Sequence, residues 1–93
     1  MDCRETVLIV NKRGLHARAS AKFVNYVSEL GSDVEVKVSK DDTCAMGNSI
    51  LGLMMLGAAK GDSIEIVCSG ATADAALARL ADLVRDGFGE DKG

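Results

Sequence analysis

The chain contains a single histidine, His16, in the run Gly14-Leu15-His16-Ala17-Arg18-Ala19-Ser20. Imidazole is the side chain whose ordinary pKa, about 6.5, leaves much of it neutral and nucleophilic near neutral pH. Arg18, two residues on, offers a planar fork of N–H donors suited to phosphate oxygens. Helical periodicity starts directly after His16, which places the histidine near an N-cap. The first N–H groups of a helix have no partners within it and carry partial positive charge, so they form an anion site. A nucleophilic imidazole, a guanidinium and a helix N-terminus are the parts needed to hold a phosphoryl group on a histidine. A histidine taken alone is more often an exposed turn residue, so the surrounding pattern has to decide.

The elements that position these residues follow from periodicity. Thr6-Val7-Leu8-Ile9-Val10 is a β-branched run ending at the turn Asn11-Lys12-Arg13-Gly14. From Ala17, the residues Ala19, Phe23, Val27 and Leu30, with Ser20 and Val24 beside them, recur at helical spacing up to Gly31, which closes the helix. Val34 to Ser39 alternates strictly and predicts a strand with its valines facing a core. Lys40-Asp41-Asp42 is a hairpin turn, followed by a short strand from Thr43 to Met46. Asn48 or Ser49 can cap a short helix running to Leu56 and ended by Gly57. Its residues Ile50, Leu51, Leu53, Met54, Met55 and Leu56 are too many for one buried stripe, so part of them must form an exposed apolar patch.

After the turn Gly61-Asp62, a strand from Ser63 to Cys68 is expected. A last helix follows, capped by Thr72, with Ala76, Leu80, Leu83 and Val84 on its inner stripe. Phe88 and the polar tail, 87–93, are expected to fray. The order β-α-β-β-α-β-α predicts an α+β fold in one domain, 1–93, with its core between about 5 and 85 and a sheet covered on one side.

Composition removes several function classes. The net charge is −3, from 11 basic and 14 acidic residues, whereas nucleic-acid binders usually carry a basic stripe. Phe23, Tyr26 and Phe88 are the sole aromatics, too few for base-stacking platforms. Cys3, Cys44 and Cys68 are odd in number and lack C-x-x-C spacing, which predicts reduced thiols rather than a disulfide framework or a metal site. No apolar run approaches about 20 residues and the N-terminus has no signal-peptide pattern, so a cytoplasmic protein without membrane contact is expected.

The run Gly14 to Ser20 closely resembles the GLHAR-P-A signature of the HPr family, the histidine-containing phosphocarriers of the bacterial phosphotransferase system. Asn48 to Gly61 is similar to that family's S-I-M-G-L-M-x-L-G-A-x-x-G segment, and the resemblance covers about residues 5–85 in register. It implies an open-faced β-sandwich, a four-stranded antiparallel sheet with three helices on one face. By the same resemblance His16 accepts phosphate from enzyme I on Nδ1 and passes it to an enzyme IIA domain. Arg18 assists the transfer, and the backbone N–H groups of Ala17 and Arg18 hold the phosphoryl oxygens. The resemblance implies no cofactor or metal, and a monomeric carrier rather than an enzyme.

Ser49 matches the serine that an HPr kinase/phosphorylase modifies in some members, although its type and position also suit a plain helix cap. Lys22, Phe23, Leu51, Met54 and Met55 carry over as the partner-docking surface. Lys12, Arg13, Arg18 and Lys22 would form a basic rim that steers an acidic partner.

The family's proline after the arginine is Ala19 here. Proline suits a first helical turn because its missing N–H would be unbonded there anyway. Alanine keeps the helix and loosens its start, so Ala19→Pro is expected to change the rate of phosphoryl acceptance by less than about tenfold. A larger gain on restoring the proline would contradict this. The HARAS run, Leu53-Met54-Met55-Leu56 and the acidic tail resemble the HPr/NPr proteins of alphaproteobacteria, which serve a nitrogen-related regulatory relay; the alternative branch is sugar transport. A small nucleic-acid-binding module is opposed by charge and aromatic content. An enzyme with a histidine base lacks a carboxylate, serine or cysteine placed by the sequence to complete a catalytic set.

Overall fold

Alternation in Val34-Glu35-Val36-Lys37-Val38 puts three valines on one side of a strand, and all three are buried while Glu35 and Lys37 are exposed. The computed structural model describes residues 2–90. Its strands are β1 (Asp2–Leu8), β2 (Val34–Lys40), β3 (Thr43–Met46) and β4 (Ser63–Gly70); its helices are α1 (Ala17–Glu29), α2 (Ile50–Met55) and α3 (Ala73–Arg85). A single 3-10 turn, Gly87–Gly89, follows α3. The strands form one antiparallel sheet in the order β1-β4-β2-β3, with β4 inserted between the first two strands of the chain. Ile64, Ile66 and Cys68 of β4 point to the same covered side as the β2 valines.

The three helices complete the expected α+β architecture. α3 carries the longest buried stripe, Ala73, Ala76, Leu77, Leu80, Ala81, Leu83 and Val84, and lies against β1 and β4. Its small alanines let the helix approach the sheet, while the leucines fill the space between them. Phe23, on α1, is 1% exposed, and α1 packs along α2.

Several local expectations need correction. β1 begins at Asp2 rather than Thr6, because its ladder with β4 runs from Asp2↔Ser69 to Leu8↔Ser63 and needs hydrogen bonds, not apolar side chains. Ile9 lies past the strand yet is fully buried, with its N–H donating to the Asp62 carbonyl at 2.8 Å. Thr72 occupies the N-cap of α3, but its hydroxyl makes no capping bond. The expected fraying of Phe88 does not occur: its ring is fully buried and joins the core. Residues 91–93 of that tail lie outside the described residues.

At α2 the cap is Ser49, not Asn48: the Ser49 Oγ accepts from the Gly52 N–H at 3.0 Å. A helix of six residues has few internal bonds to fall back on. Ser49→Ala is therefore expected to cost about 1 kcal/mol, the usual size of a lost N-cap, read as a lower midpoint in urea denaturation with an unchanged slope. An unchanged midpoint would show that the cap contributes nothing.

Candidate functional site

The turn before α1 is built by steric necessity. Gly14 has φ +64, and a Cβ there would stand 2.2 Å from the Ala58 carbonyl oxygen. That same oxygen accepts the Leu15 N–H at 2.9 Å, so the Gly14-Leu15 peptide is pressed against the loop after α2. The two sequence blocks that carry the family resemblance thus meet at one point. Leu15 is 4% exposed, and its burial turns the next residue, His16, outward at the start of the helix.

His16 is the N-cap of α1, with φ −75 and ψ −177, and its side chain makes no capping bond. Its carbonyl accepts the Ser20 N–H at 2.9 Å, the first bond of the helix. The N–H groups of Ala17, Arg18 and Ala19 consequently have no acceptor within the helix. The first turn contains no acidic side chain to neutralise their partial charge. Arg18 is exposed at the same end, and Lys12, Arg13, Arg18 and Lys22 line one cleft with His16. A net-acidic chain thereby presents a local concentration of cations around its histidine.

The cleft also contains Glu90, which nothing in the local pattern around His16 announces. His16 Nε2 lies 3.0 Å from both oxygens of the Glu90 carboxylate. Asn11 Nδ2 donates to Glu90 Oε1 at 3.1 Å and to the Gly14 carbonyl at 2.9 Å, tying the carboxylate to the turn. Burial pushes the Glu90 carboxyl pKa up, but the hydrogen bonds from His16 and Asn11, with the charges of His16 and Arg18, outweigh it and hold the pKa below its ordinary value. The contact therefore contributes stability above the ordinary carboxylate range, and that contribution is lost as pH falls through the lowered pKa.

Other predicted residues separate into groups. Lys22 is exposed, and its ammonium donates to the Phe88 carbonyl at 2.8 Å. Phe23 is corrected: its ring is packed in the core, because α1 needs a large apolar anchor, and it presents no surface to a partner. Leu51 at 68% and Met55 at 72% are fully outward, with Ile50 and Met54 beside them, whereas Leu53 and Leu56 are buried. Ser49 is half-buried at the N-terminus of the same helix.

Among the described residues no group of three His, Cys, Asp or Glu side chains could hold a metal ion, and no helix is long and apolar enough to cross a membrane. Cys68 is fully buried, and burial first, with Cys3 beside it, pushes its thiol up to about 11, which favours the protonated form.

A family model described as the PTS HPr component phosphorylation site matches residues 3–86. The chain belongs to the HPr family. Phosphocarrier protein HPr of Neisseria meningitidis is 48% identical over 87 residues, 94% of this chain and 96% of that protein. Phosphocarrier protein NPr of Escherichia coli is 40% identical over 92 residues, 98% of this chain and all of its own length. HPr-C-His from Thermoanaerobacter tengcongensis has a crystal structure that superposes with a TM-score of 0.87 at 35% identity, over 96% of this chain and 98% of that one. Membership of the HPr family supports a phosphocarrier function, and relatives of both branch names cover nearly the whole chain.

Proposed function

We propose that His16 accepts a phosphoryl group from enzyme I and passes it to an enzyme IIA component, with Arg18 and the Ala17 and Arg18 amides holding the phosphoryl oxygens. The observation that carries this is the placement of His16 as the N-cap of α1, at the mouth of a cleft with four cationic side chains. A phosphoryl group brings about two negative charges, and the unpartnered amides with the adjacent guanidinium offset them without any metal. The protein acts as a monomeric, cytoplasmic carrier and is not itself an enzyme; both outer steps are catalysed with its partners. The exposed side chains of Leu51, Met54 and Met55, together with Lys22, serve as the docking surface, where methionine's flexibility suits more than one partner.

Incubation with enzyme I and labelled phosphoenolpyruvate is expected to give one acid-labile label per chain. An acid-stable label, or none, would overturn the assignment.

Within the family we favour the nitrogen-related relay, on the strength of the HARAS run and Leu53-Met54-Met55-Leu56. The sugar branch is supported by the higher identity to a relative named HPr, 48% against 40% for one named NPr. Faster exchange with a nitrogen-related IIA than with a sugar-specific IIA would decide for the first, and the reverse order for the second. Phosphorylation of Ser49 by an HPr kinase/phosphorylase is the regulatory counterpart: new charge at the N-terminus of α2 sits well with the helix dipole but burdens an apolar docking face.

A further inference from the structure

We propose that Glu90 is a positioning residue for His16, holding the proton on Nε2 and so keeping Nδ1 as the sole nucleophilic ring nitrogen. This rests on the phosphocarrier function proposed above.

An ionised carboxylate accepts and cannot donate, so a ring nitrogen 3.0 Å from both of its oxygens must carry the hydrogen. In the neutral imidazole this leaves the lone pair on Nδ1 alone. Among the described residues, the other charged groups lining the cleft are Lys12, Arg13, Arg18 and Lys22, all cations. Among the described residues, Glu90 is thus the one charged group there that can accept from the ring. A carboxylate that orients a histidine and fixes its tautomer is the same device that stands behind metal-bound histidines.

Glu90 is itself held in place by built structure. Gly87, Phe88 and Gly89 have φ of 66, 57 and 73, three left-handed residues in succession. For phenylalanine that conformation is unfavourable, and burial of the ring offsets it. The turn is closed by the Glu90 N–H donating to the Gly87 carbonyl at 2.9 Å, and Lys22 clamps it through the Phe88 carbonyl. Asn11 holds the carboxylate from the other side, and Asn11 is itself fully buried. A frayed tail would need none of these.

The chemistry balances without moving a proton. Nδ1 forms the N–P bond as the donor's bond to phosphorus breaks and its electron pair returns to the donor. The ring becomes a phosphoimidazolium whose Nε2–H remains on the Glu90 carboxylate. On onward transfer the N–P electrons return to Nδ1 and the same neutral tautomer is regenerated. An anion at Nε2 stabilises the cationic ring, the better leaving group, in both directions.

The test uses the full chain and a donor that needs no enzyme. Phosphoramidate phosphorylates histidine with release of ammonia, and phosphorus and nitrogen NMR distinguish the two ring positions. The native chain is expected to be modified on Nδ1 alone. Glu90→Ala is expected to expose Nε2 and give a mixture of both isomers. Glu90→Gln keeps an amide oxygen that can accept from Nε2–H and should restore the single product. With enzyme I as donor, Glu90→Ala should slow acceptance on the order of tenfold, the effect seen for carboxylates behind ligating histidines.

Modification of Glu90→Ala solely on Nδ1 with an unchanged rate would overturn the proposal, as would native modification on Nε2. Failure of enzyme I to label the native chain would instead remove the phosphocarrier function and leave the ring-position result standing. Urea denaturation of each variant at neutral pH separates loss of the contact from loss of the fold.

Discussion

His16→Ala is expected to take up no acid-labile phosphate from enzyme I and labelled phosphoenolpyruvate while keeping its fold. The loss is total because the chain has no second histidine to receive the group. The fold survives because the imidazole supports little of it. Its side chain makes no capping bond to α1, remains 22% exposed, and is hydrogen-bonded to the Glu90 carboxylate of the tail. The backbone carbonyl that starts the helix is unaffected by truncation of the ring. A stability change within about 1 kcal/mol is expected, as for a side chain outside the core. Retention of the label in His16→Ala would place the phosphoryl group elsewhere. A globally unfolded variant would show that the ring carries structure that its contacts do not reveal.

Gly14→Ala should be costly in stability although it adds only a methyl group. Two penalties combine: φ +64 is unfavourable for any residue with a Cβ, and the new atom would lie 2.2 Å from a backbone oxygen. That oxygen is not the end of a flexible side chain and cannot swing aside. Relieving the clash means parting Leu15 from Ala58 and giving up their hydrogen bond, worth about 1 kcal/mol. The sum is on the order of 3 kcal/mol, a large share of the 5–15 kcal/mol that holds a domain together. Urea denaturation should show a markedly lower midpoint. Phosphoryl acceptance should fall as well, since His16 is the second residue after the displaced glycine. An unfolding free energy within about 0.5 kcal/mol of the native chain would mean that the two loops part freely.

The sheet and helices were legible where one period runs without competition. Val34 to Ser39 alternates, Ala17 to Leu30 repeats at helical spacing, and both elements lie within a residue of their expected bounds. β1 was legible only in part, because Asp2, Arg4 and Glu5 join the ladder through their backbone and give no apolar signal. His16, Arg18 and the basic residues could be found because they are neighbours in sequence. Glu90 could not: it reaches His16 from 74 residues away, and a glutamate in a polar tail has no local mark. The available clue was Phe88. A chain with three aromatics has little reason to leave one in solvent, and its burial is what carries Glu90 into the cleft. Phe23 differs in the opposite direction: its place on the helical stripe already marks it as core, and its ring is buried there rather than on the docking surface that the resemblance implies.

The Gly14–Ala58 contact also bears on how much information a matching motif conveys. In Gly14-Leu15-His16-Ala17-Arg18, glycine is required by space and leucine by packing; histidine and arginine alone face the cleft as chemical groups. Divergence can therefore erase the reacting letters while the spatial ones persist, since losing the latter destabilises the fold. A chain could score as a strong match to this signature, and superpose closely, after its capacity to carry phosphate had gone. Here the histidine is present, and the proposed carrier function rests on that one letter.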